Sequence, residues 1–305
     1  MGFVLIVLNS CAENLFYNAD NNSNLIPNFG SDSTLSIITW NVEWFPKNIH
    51  TINSMAEIIV ELNVDIFGFQ EITSTTDFIQ LINKINELDT LNQWFGFRAE
   101  DGDYQELAYI INISSVNIIN TPYSILNEYN HYFSYRVPYV VRVSFMNNEF
   151  IIINNHFKCC GDGNLYIDYW DEEYRRQQAS ILLQNYINAN FSNDNVIVIG
   201  DMNDRLDDAE YDNVFQNFFQ DNANFKFSDI NIATGSINNY SWPGWNQNTY
   251  EAAHLDHIII SNELFDEFNN DGSNVQTICL DEYFYEYYQN ISDHRPVILE
   301  LVLNP

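Results

Sequence analysis

Residues 196–203 read Val196-Ile197-Val198-Ile199-Gly200-Asp201-Met202-Asn203. Four consecutive β-branched apolar residues read as a strand, and an acid and an amide stand where it stops. The pattern recurs outward in both directions. Leu35–Thr39 is followed by Asn41 and Glu43, and Asp65–Phe69 runs into Gln70 and Glu71. Ile151-Ile152-Ile153-Asn154-Asn155 leads to His156. Asp256 precedes Ile258-Ile259-Ile260, and Asp293-His294 precede a last strand, Val297–Leu303. Asp and Asn commonly begin turns, so one such case is ordinary. Six strand ends, each with an oxygen ligand or a His, imply a rim on which these groups converge.

Between these segments lie further strands at Leu107–Ile113 and Tyr139–Phe145. Ile52, Met55, Ala56, Ile59 and Val60 recur at helical spacing, and helices are predicted over Asp77–Leu88 and Glu172–Ile187. Consecutive strands and interspersed helices predict one α/β domain with mixed sheets rather than a purely parallel one. No internal repeat or later linker divides the chain.

The 305 residues carry 42 Asp+Glu against 11 Lys+Arg, a net charge of −31. With 46% hydrophobic and 15% aromatic residues the chain can bury a sizeable core, which excludes wholesale disorder. The charge excludes a protein that grips nucleic acid by a broad basic face. It does not exclude an enzyme whose bound metal neutralises a phosphate at the site.

The N-terminus begins with a short apolar run, Phe3–Leu8, followed by Asn9-Ser10-Cys11. The run is too short to span a bilayer and reads as the end of a secretory signal peptide. Leu8-Asn9-Ser10-Cys11 is similar to a bacterial lipobox, which makes Cys11 the lipidated residue. The domain boundaries expected are 1–10 for a signal-peptide remnant, 11–34 for a flexible tether rich in Asn, Asp and Ser, and 35–305 for the folded domain. This implies an exported, outer-membrane or cell-surface lipoprotein, or a secreted one, touching membrane through the anchor alone. Cys159, Cys160 and Cys279 cannot all pair; a bridge to Cys279 or a bond between the neighbours remains open.

Carboxylates and amides without clustered thiolates or His favour a hard cation: Mg²⁺, Mn²⁺ or Ca²⁺. Two His, each supplied with an acid, suit a general base and a general acid on opposite sides of an in-line displacement. Together they describe metal-assisted phosphoester hydrolysis.

The ordered set Trp40-Asn41-Val42-Glu43, Gln70-Glu71, Asn155-His156, Gly200-Asp201-Met202-Asn203, Leu255-Asp256-His257 and Ser292-Asp293-His294-Arg295-Pro296-Val297 resembles the endonuclease/exonuclease/phosphatase superfamily. The resemblance implies a four-layer α/β sandwich, two packed mixed sheets flanked by helices. Within the superfamily, Tyr104-Gln105-Glu106-Leu107 and Ser134-Tyr135-Arg136-Val137-Pro138 are similar to segments of type I deoxyribonuclease. That likeness pairs His156 with Glu106 and His294 with Asp256. It gives Asn41, Glu43, Glu71 and Asp293 to metal. It also makes Asp201 and Asn203 orient the phosphate or the attacking water, and sets Tyr104 and Arg136 against substrate. Glu43 departs from the deoxyribonuclease, which has a basic contact there; an acid is typical of the abasic-site repair branch. That branch lacks a His at the position of His156, so the sequence mixes two signatures.

The implied activity is a metal-dependent phosphodiesterase, a monomeric nuclease acting on DNA. A lipid or small-molecule phosphodiesterase, sphingomyelinase-like, is the alternative. Several features read more plainly as structure. Arg175 and Arg176 fit a solvated helix face, His254 and His257 a packing role at a strand edge, and Lys158–Gly163 an ordinary Gly-rich connection. The Tyr283–Tyr288 aromatic cluster fits a partly exposed loop. Trp242-Pro243-Gly244-Trp245 fits a packed turn or a substrate wall equally.

Overall fold

The computed structural model describes residues 26–100 and 105–303. Cys11, the signal segment and Tyr104 lie outside them. In chain order the strands are β1 Thr34–Phe45, β2 Ile66–Ile72, β3 Trp94–Arg98, β4 Glu106–Asn112, β5 Asn117–Ile118, β6 Tyr123–Ser124 and β7 Tyr139–Phe145. They continue with β8 Asn148–His156, β9 Asn195–Asp201, β10 Phe225–Phe227, β11 Asp256–Ser261, β12 Asn274–Thr277 and β13 Val297–Val302. The helices that cover the sheets are α1 Thr51–Leu62, α2 Thr75–Leu88, α3 Glu172–Asn190 and the short α4 Gln216–Gln220.

The strands form a six-stranded sheet ordered β12-β13-β1-β2-β4-β3 and a seven-stranded one, β10-β11-β9-β8-β7-β5, with β6 on β7. Both are mixed: β1–β2 and β8–β9 are parallel and the other pairs antiparallel. Three apolar layers separate four structural ones. One lies between α1, α2 and the first sheet, built on Trp40, Phe67 and Phe69. The middle layer joins the sheets through Ile37, Ile152, Ile199, Ile258 and Leu299. The third joins the second sheet to α3 and α4 through Ile153, Val198, Leu183 and Phe218. The expected four-layer sandwich is what forms. No helix among the described residues is long and apolar enough to cross a membrane.

Strand periodicity decides where the polar residues go. Successive side chains alternate between faces, so the parity of a buried residue fixes the face of its neighbours two positions on. In β1, Leu35 and Ile37 enter the middle layer, and Thr39 and Asn41 follow with the same parity. In β8, Ile152 leads to Asn154 and His156; in β9, Ile197 and Ile199 lead to Asp201; in β11, Asp256 precedes Ile258 and Ile260. The layer between the sheets therefore turns from aliphatic to polar at one end. β1, β2, β8 and β9 finish there, and β11 and β13 begin there.

Candidate active site

The register of the second sheet lays three site residues in a row: His156 is opposite Asp201, and Asp201 is opposite Asp256. Gly200 makes this row possible. Its φ is +152°, and a Cβ there would stand 2.2 Å from the Asn155 carbonyl oxygen. On the first sheet Asn41 is opposite Gln70, and Glu71, at φ +66°, swings its carboxylate back toward β1. There it accepts from the Trp44 amide at 3.0 Å.

Asp201 stands at the centre. Its Oδ2 is 3.6 Å from His156 Nε2, 3.9 Å from His294 Nε2 and 2.9 Å from Asn41 Nδ2. Asn41 Nδ2 also donates to Glu71 Oε1 at 3.2 Å, and that oxygen is 3.9 Å from His156 Nε2. Asp293 Oδ1 lies 4.0 Å from His294 Nε2, and its Oδ2 accepts from Trp242 Nε1 at 3.3 Å. Asn203 closes the far side, its backbone amide donating to Asp201 Oδ1 at 3.0 Å and its side-chain amide to the Phe157 carbonyl at 3.3 Å.

The two imidazoles are held in opposite charge states. His294 Nδ1 donates to Asp256 Oδ2 at 2.7 Å. Burial opposes its charge, but Asp256, Asp201 and Asp293 outweigh burial and hold its pKa well above the ordinary value. His294 is thus an imidazolium with Nε2–H facing the centre. Burial takes His156 the other way, well below the ordinary value, helped by Arg136, His294 and Lys158. His156 is neutral.

The sequence resemblance pairs His156 with Glu106, and that hydrogen bond is not formed: Nδ1 of His156 has no hydrogen-bond partner among the described residues. Glu106 is buried at the first position of β4, opposite Ile72. The His294–Asp256 pair forms as expected. Arg136 is buried beside the site, donating to Gln105 Oε1 at 2.8 Å and the Phe157 carbonyl at 3.2 Å. Glu43 lies beside Asp293 but is ion-paired with Lys47.

A divalent cation suits this donor set. Burial first, then repulsion from Asp256 and Glu71, pushes Asp201 up to about 7, against the pull of His294 and Asn41. Carboxylates crowded this way call for positive charge. The Asn41 amide group now meets both Glu71 and Asp201, and its Oδ1 accepts from the Glu43 amide. Glu71 and Asp293, with Asn41 once its amide oxygen turns inward, would hold the ion. A bound ion would neutralise phosphate charge and polarise its oxygens.

Other residues carry the site without touching its centre. Ser292 Oγ donates to the Asn41 carbonyl at 2.6 Å and accepts from the His294 amide at 2.9 Å, stapling β1 to the closing motif. Ser241 Oγ accepts from the amides of Leu255 and Asp256. Arg175 and Arg176 are buried rather than solvated. Arg175 donates to the His131 carbonyl, and Arg176 binds Asp204 at 2.6 Å. The signal for Arg176 was Asp204, an acid directly after Asn203 of the motif.

His254 and His257 form a buried cluster with Asp229. Three such ligands could hold a metal, but the hydrogen bonds argue otherwise. His254 Nδ1 accepts from the Ser241 amide, so Nε2 carries the proton given to Asp229 at 3.1 Å. His257 donates from both nitrogens, to Asp229 at 2.6 Å and to the Asp204 carbonyl at 2.9 Å. Every ligand atom is spent, and His257 is the cation Asp229 balances. Asp229 outweighs burial and raises His257, whereas burial lowers His254.

A four-layer sandwich with an acid-rich rim, a neutral and a protonated imidazole, and a cation-hungry carboxylate between them defines a metal-assisted phosphoester hydrolase. The chain belongs to the Endonuclease/Exonuclease/phosphatase family, whose sequence profile matches residues 38–294. Family members are divalent-metal-dependent hydrolases of phosphoester bonds. No curated protein sequence matches the chain. Among solved structures it is similar to D. rerio TDP2 complexed with single-strand DNA product, at 17% identity and TM-score 0.62, covering 88% of this chain and 99% of that one. It is similar to the human Nocturnin catalytic domain with bound sulfate, at 15% identity and TM-score 0.58, covering 88% and 93%. It is also similar to an endonuclease/exonuclease/phosphatase from Bacteroides vulgatus, at 13% identity and TM-score 0.59, covering 89% and 99%. At these identities the likeness is one of fold.

Proposed function

We propose that the chain is a phosphodiesterase that cleaves DNA with Mg²⁺, or Mn²⁺ or Ca²⁺ in its place. The observation that carries this reading is the pair of imidazoles on either side of Asp201, 3.6 and 3.9 Å from its Oδ2, with His294 hydrogen-bonded to Asp256 at 2.7 Å. Neutral His156 accepts the proton of the attacking water at Nε2. His294 gives its Nε2 proton to the leaving 3′ oxygen, and Asp256 fixes that ring and stabilises its charge. Asn203 and Asp201 orient the phosphate and the water. Arg136 adds positive charge behind His156.

Nucleic acid is favoured by the shape and lining of the cleft. Its volume is about 660 Å³, and Trp44, Trp242 and Trp245 line it together with Arg136, Arg176 and Arg205. Trp242 and Trp245 meet edge to face with centroids 5.7 Å apart, and Trp245 is 68% exposed, a surface on which a base can stack. The D. rerio TDP2 relative was solved with a single-strand DNA product. Against a net charge of −31, binding rests on the metal and a few arginines, so affinity depends strongly on the divalent cation and weakly on monovalent salt.

One observation favours a short phosphodiester instead. Arg176 is paired with Asp204 and Arg205 with Asp207, leaving little free positive charge in the cleft. Plasmid nicking measured with Mg²⁺ or Mn²⁺ beside hydrolysis of a choline phosphodiester separates the two. DNA cleavage supports the proposal; turnover of the choline substrate with no DNA cleavage under any metal refutes it. The same reading takes the enzyme to be a monomer, exported and lipid-anchored at Cys11. A mature N-terminus other than residue 11 by mass spectrometry would refute the anchor.

A further inference from the structure

We infer that Cys159 and Cys160 are a reversible dithiol/disulfide couple on the rim of the catalytic cleft, closed by exchange with a low-molecular-weight disulfide. The effect on turnover rests on the reading above; the couple itself does not. The two thiols are free, and their Sγ atoms lie 2.9 Å apart. Both face the cleft with His156, Asn203 and Arg176. They follow His156 by three and four residues, with only Phe157 and Lys158 between. Cys279, the remaining described cysteine, is also free and has its Sγ 3.8 Å from the Asn238 carbonyl.

The reaction balances with a disulfide R–S–S–R as oxidant. Cys160, exposed, attacks one sulfur as its thiolate and releases R–SH, leaving Cys160–S–S–R. Cys159 then attacks the Cys160 sulfur, the second R–S leaves and takes a proton, and an intrachain Cys159–Cys160 bond remains. Two thiols are oxidised and one external disulfide is reduced. Burial, then the Cys159 thiol, pushes Cys160 up to about 11, so exchange accelerates as pH rises.

Closure is felt at the site because of what holds this loop. The Cys159 carbonyl accepts from Lys158 Nζ at 2.8 Å. Arg176 Nη1 donates to the carbonyls of Lys158 and Cys160 at 2.8 and 2.7 Å, while its Nε binds Asp204, next to Asn203. The disulfide closes an eight-membered ring through the Cys159–Cys160 peptide. Ring closure turns that peptide and draws the Cys160 carbonyl from Arg176, loosening the segment up to Gly163, whose amide donates to Glu173 at 2.7 Å.

The test treats the full chain with glutathione disulfide, then digests it with trypsin. The peptide Cys159–Arg175 contains both thiols and no other cysteine. The inference predicts that this peptide loses two hydrogens without adding glutathione, that amides 161–163 exchange faster, and that turnover falls by about tenfold or more. Dithiothreitol should reverse all three, and Cys160→Ser should keep basal turnover and resist inhibition. A stable glutathione adduct, a bond to Cys279, or a closed ring with unchanged exchange would overturn it. If the reduced protein cleaves no phosphodiester, the functional reading fails while the peptide mass and the exchange still decide the couple.

Discussion

Gly200→Ala tests whether the row of site residues depends on backbone contact between β8 and β9. A methyl at Gly200 would meet the Asn155 carbonyl oxygen at 2.2 Å, its carbon at 2.8 Å and its nitrogen at 2.9 Å. All three are backbone atoms of the strand that ends in His156, so no rotamer change relieves the contact. The strands must separate by roughly 1 Å to reach ordinary contact distances. Overpacking of this kind costs about 1–3 kcal/mol, and a side chain at φ +152° adds about 1–3 kcal/mol of strain. The expected loss is ~2–6 kcal/mol, a fall in Tm of roughly 5–15 °C for a domain of this size. The same shift separates His156 from Asp201, and a 1 Å misplacement costs on the order of 10²-fold in rate. Denaturant unfolding and turnover should therefore both suffer. A variant with wild-type stability and turnover would refute the reasoning.

The other predictions follow from single groups. Asp229→Asn leaves His257 buried without its counter-charge and should cost about 3–5 kcal/mol. His257 is raised, so its contribution is complete below 6.5 and fades as pH rises through its folded pKa. Asp229 is lowered, so its contribution is present above 3.8 and fades as pH falls toward its folded pKa. The stability gap between wild type and Asp229→Asn should thus be widest between these pH values; a gap that is flat with pH contradicts the assignment. Asp293→Ala should raise the Mg²⁺ concentration for half-maximal activity while leaving Tm nearly unchanged; an unaltered metal titration removes it from the ligand set. Arg136→Ala should raise KM by roughly 10- to 150-fold, since one charged hydrogen bond to substrate is worth about 1.5–3 kcal/mol, and an unchanged KM would place Arg136 outside substrate contact.

The fold was legible because its strands are β-branched runs whose parity holds up to the site, the register of β1 and β2 shifting only after Asn41 and Phe69. Reading Ile197 and Ile199 as buried carries Asp201 to the same face, and Ile152 carries His156. The His294–Asp256 pair was legible through the family resemblance, and the structure forms it at 2.7 Å. The pairing of His156 with Glu106 came from the resemblance, which matches residue type and order and does not fix a hydrogen bond; Nδ1 of His156 has no partner among the described residues. The burial of Arg175 and Arg176 was hidden by composition: two adjacent arginines on a helix look solvated until Asp204 and the His131 carbonyl are seen to receive them. Asp229 had no signal at all. It follows Ser228 before a short helical turn, and only the tertiary fold brings it under His254 and His257.

The account rests on two imidazoles sharing one proton-transfer task, and single alanine variants of His156 and His294 measure that directly. Turnover is followed on DNA at saturating Mg²⁺, with thermal unfolding as the control for folding. The account predicts that each variant keeps a cooperative transition and loses about 10²–10⁴-fold in turnover. A loss under about tenfold for both folded variants would contradict it.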